Sequence, residues 1–296
     1  MSQLSRPSFR SFLPLFAGAA ALSFTLGGCS VTEPVTHKRS AMRVSHVVGD
    51  AKPHPGVAHA KRYPIHGIDV SKWQGDIDWQ AVKRSGVKFA FIKATEGGDH
   101  VDERFEENWA GAKAAGVSRG AYHFVFWCRP AIEQAAWFEK HIPNDPDALP
   151  PVLDVEWNPQ SRNCPGKISP ELARKKMAIM LKHLERHTGK RPIIYTDITF
   201  NQEVLAGGHF EDYPFWVRST AADPKERYDD RRWALWQYTT TGRIPGIAGN
   251  VDRNTFNGTQ QQWLAFMDMP KSHRPRIDAP IDNGIDSMTA LAMAPL

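Results

Sequence analysis

The sequence predicts an α/β barrel of the modified TIM-like type, (β/α)5(β)3, and three observations carry that prediction. Between residues 65 and 196, short and nearly continuous apolar runs alternate with helical segments. That is the pattern of a parallel sheet covered on both faces. After residue 196 the apolar runs crowd together, joined by short connections. There are roughly eight runs in all, enough to close a barrel whose last helices have degenerated. No G-x-G-x-x-G follows the first run, which argues against an open dinucleotide-binding sheet.

Each element has its own signal. Residues 65–70 form the first strand. Asp78 then caps a helix over 79–85, and Gly86 ends it. The second strand is 87–95, built on Phe89-Ala90-Phe91-Ile92, and a helix over 105–115 closes at Gly116. Strand three is 120–126, followed by a helix over 131–141 that Pro143 stops. Strand four, 152–156, emerges from Pro150-Pro151. Ser169-Pro170-Glu171 opens a long helix with proline at its favoured first position, and Gly189 closes it. Strand five lies within 191–196, and strands six to eight are 215–218, 234–238 and 249–252. Trp137 and Phe138 fall in a helical pattern and are expected to pack on the barrel.

The flanks differ in kind. Arg6 and Arg10 precede an apolar stretch over 12–26, too short to span a bilayer comfortably, and Leu26-Gly27-Gly28-Cys29 follows. This resembles a bacterial lipoprotein signal over residues 1–28, cut before a Cys29 that then carries lipid. The protein is therefore expected to be exported and membrane-anchored, facing the periplasm or cell wall. Residues 29–62 are polar and aperiodic and read as a flexible tether, residues 63–268 as the barrel domain, and residues 269–296 as a disordered tail. With Cys29 lipidated, Cys128 and Cys164 remain, an even pair in an oxidising compartment. They sit just past strands three and four, so a disulfide at the barrel mouth is expected. The net charge of +5 fits an anionic polymer or a membrane surface. No dense Lys/Arg stripe interleaved with aromatics supports nucleic acid.

The chemistry gathers on strand four. Leu153-Asp154-Val155-Glu156-Trp157 puts two carboxylates two positions apart, hence on one face of a buried strand. Each such acid raises the other's pKa, and a carboxyl kept protonated near neutrality serves as a general acid. In an isolated D-x-E the usual explanation is a cap and an ion pair. Here other strand ends supply company: Asp69, Glu96, Tyr122, His123, Tyr195, Trp216, Trp236, Gln237 and Asp252. Acids walled by aromatics suit cleavage of a glycosidic bond. Glu96 is equally well explained as an ion pair with Lys93, and His123 as a hydrogen-bonded core group. Trp73, Trp157 and Trp236 are the tryptophans placed for stacking on sugar. His183 and His187 stand i, i+4 on the long helix, but Lys182, Glu185 and Arg186 around them mark a solvated face, and no metal or other cofactor is expected.

Six motifs occur in order: Gly67-Ile68-Asp69-Val70-Ser71, Lys93-Ala94-Thr95-Glu96-Gly97, Ala121-Tyr122-His123-Phe124, Asp154-Val155-Glu156, Trp236-Gln237-Tyr238 and Val251-Asp252-Arg253-Asn254. Together they resemble glycoside hydrolase family 25, the Chalaropsis-type lysozymes, over residues 65–266. The resemblance implies cleavage of the β-1,4 bond between N-acetylmuramic acid and N-acetylglucosamine in peptidoglycan. It implies Glu156 as general acid, Asp154 as second catalytic carboxylate, and Asp69 and Asp252 in the same pocket. Tyr122, Tyr195, Trp216, Trp236, Gln237 and Glu96 are the expected substrate contacts. Arg218 departs from the family pattern, where a smaller or neutral residue is usual. It either reshapes a subsite or pairs with a pocket acid. The expected partners are peptidoglycan and, through Cys29, a membrane; the chain is expected to act as a monomer. A non-catalytic peptidoglycan-binding lipoprotein is the alternative, but it would be expected to have lost at least one of the four acids.

Overall fold

The computed structural model describes residues 48–229 and 231–267. The expected lipoprotein signal over residues 1–28, Cys29 and the expected tail over residues 269–296 lie outside them. In chain order the elements begin with β1 (Gly49–Asp50), a 3-10 helix over Pro55–Arg62, β2 (His66–Val70), a 3-10 turn at Lys72–Gln74 and α1 (Trp79–Arg84). Then follow β3 (Phe89–Glu96), β4 (His100–Val101), α2 (Phe105–Ala114), β5 (Ser118–Phe124), α3 (Ala131–His141), β6 (Val152–Val155), α4 (Pro170–Thr188) and β7 (Ile193–Thr196). The chain continues through α5 (Ile198–Phe200), a π turn over Asn201–Leu205, β8 (Phe215–Arg218), β9 (Leu235–Arg243), β10 (Val251–Phe256) and α6 (Gln260–Met267).

Strands β2-β3-β5-β6-β7-β8-β9-β10 form a closed ring, since β10 pairs back onto β2. The pairings from β2 round to β9 are parallel. β10 runs antiparallel to both its neighbours, which corrects the expectation of an all-parallel sheet. The caps expected from sequence are used. The Asp78 side chain accepts from the Ala81 N–H, and Ser169 from that of Leu172. Gly189 ends α4 at φ 67°, a left-handed conformation that glycine adopts without cost.

Side chains alternate between two cores, with one break at a bulge in β3 between Lys93 and Thr95. Ile65, Phe89, Phe91, Val152, Ile193, Trp216, Leu235 and Phe256 pack together inside the ring. Ile68, Ala90, Ile92, Leu153, Val155, Ile194 and Val217 point outward into the helix layer, against Phe105, Phe138 and Met177. Two glycines make room inside. A Cβ on Gly67 would lie 2.4 Å from the Phe89 ring, and one on Gly120 would lie 2.6 Å from that of Phe91. α6 closes the bottom of the barrel, with the Trp263 ring 5.0 Å from that of Phe89.

The expected tether does not extend through residues 48–62. β1 pairs with Gly242 and Arg243 on β9, and the 3-10 helix buries Val57 and Ala60 against the barrel wall. His59 contributes by stacking on Trp236, with ring centroids 5.0 Å apart.

Candidate active site

The inward face that is apolar at the bottom of the barrel turns acidic at the top. Following the alternation up each strand leads from Gly67 to Asp69, Val152 to Asp154 and Glu156, Ile193 to Tyr195, and Leu235 to Gln237. Asp69, Asp154, Glu156, Tyr195 and Gln237 line one cavity of about 270 Å³, together with Tyr122, Lys93, Phe124, Trp216, Asp252 and the turn residues Ser71, Trp73 and Gln74. Asp252 was expected at the C-terminal end of its strand. It lies near the N-terminal end of β10, and reaches the mouth because β10 runs antiparallel and sets Asp252 opposite Asp69.

A hydrogen-bonded frame holds the acids. Asp69 Oδ2 accepts from Gln237 Nε2 at 3.0 Å and Asn254 Nδ2 at 2.7 Å. Gln237 Oε1 accepts from Tyr195 Oη at 2.9 Å, which orients the amide, and its nitrogen also reaches Asp252 Oδ2 at 3.4 Å. Trp216 Nε1 donates to Asn254 Oδ1 at 2.8 Å. The groups named in this frame are partnered, as burial demands. Asp154 stands apart from the frame. It is buried, and its Oδ1 has no hydrogen-bond partner among the described residues.

Burial dominates the acidities. Glu156 is pushed up to about 7, first by burial and then by the charge of Asp197, with Arg218 and Lys93 pulling the other way. Asp252 is pushed up to about 8 by burial and by Asp69. Asp154 is held well above the usual carboxylate range by burial and by Glu156. Asp69 is raised by burial, which outweighs its hydrogen bonds from Asn254 and Gln237. Acids clustered this closely and this buried resist ionising together.

The loops are braced. Cys128 and Cys164 form a disulfide with Cα atoms 5.6 Å apart, tying the connection after β5 to the one after β6. Trp127 Nε1 donates to the Glu156 carbonyl at 2.8 Å. Ser71 and Gln74 form a reciprocal capping box, and the turn they brace carries Trp73 at 81% exposure at the cavity, with the Lys72 ammonium 5.5 Å from its ring centroid.

The sequence matches the profile described as glycosyl hydrolases family 25 over residues 68–247. The chain belongs to that family. It is a glycoside hydrolase, and its barrel is the family's fold. It is 42% identical over 211 residues to the uncharacterized protein YegX of Escherichia coli K12, covering 70% of this chain and 74% of that one. It is 33% identical over 289 residues to lysozyme M1 of Streptomyces globisporus, covering 90% and 97% of the two chains. A family 25 glycosyl hydrolase structure from Bacillus anthracis superposes with a TM-score of 0.65 at 34% identity, covering 73% of this chain and 97% of that one.

Other expected contacts of this family 25 enzyme lie elsewhere. Trp236 is fully buried on the outer face of β9, donating to the Ser219 carbonyl at 2.8 Å and packed on Trp233 and Tyr238. Its neighbour Gln237 points inward, and alternation forbids both. Trp157 packs on Trp127 and Phe200 and donates to Glu203 at 2.7 Å, so it too is no open stacking face. Glu96 is outside the cavity lining and forms an ion pair with Lys93. His123 lies in the helix layer between Thr95 and Gln134, and burial lowers its pKa to about 3. Asp197 and Lys93 were not foreseen. Asp197 caps α5 through the Phe200 N–H at 2.7 Å and acts electrostatically on Glu156. Its signal was in the sequence: it stands two residues beyond the inward-facing Tyr195.

Proposed function

We propose that this enzyme is a peptidoglycan muramidase, hydrolysing the β-1,4 bond between N-acetylmuramic acid and N-acetylglucosamine. Glu156 is the general acid and Asp154 the second catalytic carboxylate. The observation that carries the reading is the shared inward face of Asp154 and Glu156 on one acid-lined, aromatic-walled cavity. Lysozyme M1, similar over nearly the whole chain, supports the substrate class.

The chemistry follows from the positions. Glu156, pushed up to about 7, keeps its proton below neutrality and in a large share of molecules at neutral pH, and gives it to the glycosidic oxygen as the C1–O bond breaks. The carbonyl oxygen of the substrate's own 2-acetamido group closes on C1, and Asp154, which lines the cavity, accepts from the acetamido N–H. Water then opens the cyclic intermediate, returning its proton to the Glu156 carboxylate. Asp69 and Asp252, joined through Gln237, wall the same sugar site. Trp73 offers its exposed face to a sugar ring. The expected result on purified peptidoglycan is new reducing ends that are muramic acid, formed with retention at C1 by NMR. Inversion would remove acetamido participation, and absence of new muramic ends would remove the muramidase reading.

We propose that this activity faces the periplasm or cell wall, held to a membrane by lipid on Cys29. Arg6, Arg10, the apolar stretch and the Gly27-Gly28-Cys29 junction support this. Lipid anchoring contributes roughly 0.8 kcal/mol per buried CH₂, so two or more chains hold firmly. Cys29→Ala should therefore move the protein from membrane to soluble fractions. Persistence in salt-washed membranes would refute the anchor.

A further inference from the structure

At the end of β8 stands a cation that the proposed mechanism does not use. Arg218 follows Trp216 by two residues, so its side chain shares the inward face of a residue lining the cavity. Its register partner on β9 is Gln237, which also points inward. The guanidinium acts electrostatically on Asp69, Glu156, Asp197 and Asp252, which fixes it at the acidic mouth. It is absent from the lining of the 270 Å³ cavity itself, so it stands at the rim.

Arg218 nonetheless has no carboxylate within 4.0 Å among the described residues. Several other cations around the mouth do. Lys93 pairs with Glu96, Lys72 with Glu103, Arg129 with Asp99 and Glu133, and Lys167 with Glu203. The structure thus answers the question left by the sequence: Arg218 does not neutralise a pocket acid by direct pairing. Its backbone is fixed while its head is unpaired. Tyr228 Oη lies 3.1 Å from the Arg218 N–H and donates to the Arg218 carbonyl at 2.7 Å. A half-buried guanidinium on a rigid strand end, with its five N–H groups uncommitted, is a receptor for a carboxylate.

We propose that Arg218 is a specificity-determining residue that binds a carboxylate carried on the lactyl arm of the substrate's muramic acid. This rests on the muramidase reading. In this reading the ring next to the scissile bond occupies the cavity lined by Asp154 and Glu156, with its lactyl arm turned to the Arg218 side of the rim. That carboxylate has two possible sources: the lactyl group itself where the peptide stem has been removed, or the stem where it is present. Trp73 lies on the turn after β2, three strands away around the barrel, so apolar stacking and charge recognition occupy separate walls.

The test measures kcat and KM on four soluble glycans: stem-bearing chains, stem-free chains with free lactyl carboxylates, and the carboxamide of each. Wild type should prefer a charged glycan over its amide by about tenfold or more, the loss expected on removing a charge-assisted hydrogen bond. Arg218→Gln should abolish that preference, chiefly through KM, and Arg218→Lys should restore part of it. The pair that shows the preference identifies the source of the carboxylate. If wild type shows no preference, or Arg218→Gln slows charged and neutral glycans equally, Arg218 is not a substrate reader and the inference falls while the muramidase reading stands. If wild type cleaves none of the four, both fall together. Thermal melting of each variant confirms that it is folded before its kinetics are interpreted.

Discussion

The two ends of the barrel handle buried carboxylates in opposite ways. At the bottom, Asp145 meets Arg119 and Lys113, and Arg119 and Asp145 are only 6% and 7% exposed. Burial alone would raise the Asp145 pKa, but the hydrogen bond from Lys113 and the charge of Arg119 outweigh it and hold Asp145 below its usual range. At the top, Asp154 meets Glu156 instead of a cation, and both are raised. The same residue type is thus a structural anion at one pole and a proton store at the other. What differs is the company each keeps, since a buried charge is stabilised when paired and neutralised when not.

The largest effect should come at the acidic pole. Glu156→Gln should lower turnover by about 10²–10⁴-fold, because the amide keeps the shape and cannot give up a proton. It should also stabilise the fold above neutrality. The Glu156 pKa rises from 4.5 to about 7 on folding, so its ionisation weakens the native state as pH climbs through that window. The variant's melting temperature should therefore exceed wild type at pH 8 and match it at pH 4. Near-native turnover, or no gain at pH 8, would break the contrast.

At the paired pole the signs reverse. Asp145→Ala should destabilise by about 3 kcal/mol, because it strands a buried guanidinium. The folded fraction should keep its kcat, measured after active-site titration. Next in size is the disulfide. Removing Cys128 and Cys164 together should cost about 2–4 kcal/mol in chemical denaturation and, unlike Asp145→Ala, should also lower kcat by loosening the loop beside Glu156. A full-rate double mutant would detach that bridge from catalysis. The pH profile of kcat should fall above about pH 7 as Glu156 loses its proton; a rate still rising at pH 9 would point to another acid. The smallest effect belongs to Trp73→Ala, which should leave stability unchanged and raise KM several-fold. An unchanged KM would place glycan stacking elsewhere.

Much of this was legible in the sequence, because it depended on period and punctuation. Helix 131–141 and strand 215–218 fall where their apolar periods and breakers put them. The acid pair on β6 was legible for the same reason: a period of two fixes a shared face. That rule, pressed harder, would have excluded Trp236 beside Gln237 and Trp157 beside Glu156, and would have added Asp197 two beyond Tyr195. Strand direction was not legible. Nothing local in Val251-Asp252-Arg253-Asn254 says that β10 runs against its neighbours; that is decided by how the ring closes. The elements over residues 48–62 were missed because they borrow stability. Two residues of β1 and one 3-10 helix hold through contacts with the barrel, among them β9, Trp236 and Asp223.

That opening segment also decides what can be attached to this enzyme, and where. β1 joins the far end of β9, which runs past Gln237 and beyond the mouth, whereas α6 lies at the bottom beneath Phe89 and Phe256. The described chain therefore enters beside the cleft and leaves at the opposite pole. A bulky carrier joined ahead of residue 48 would crowd the approach of a long glycan, while one joined behind residue 267 would leave it open.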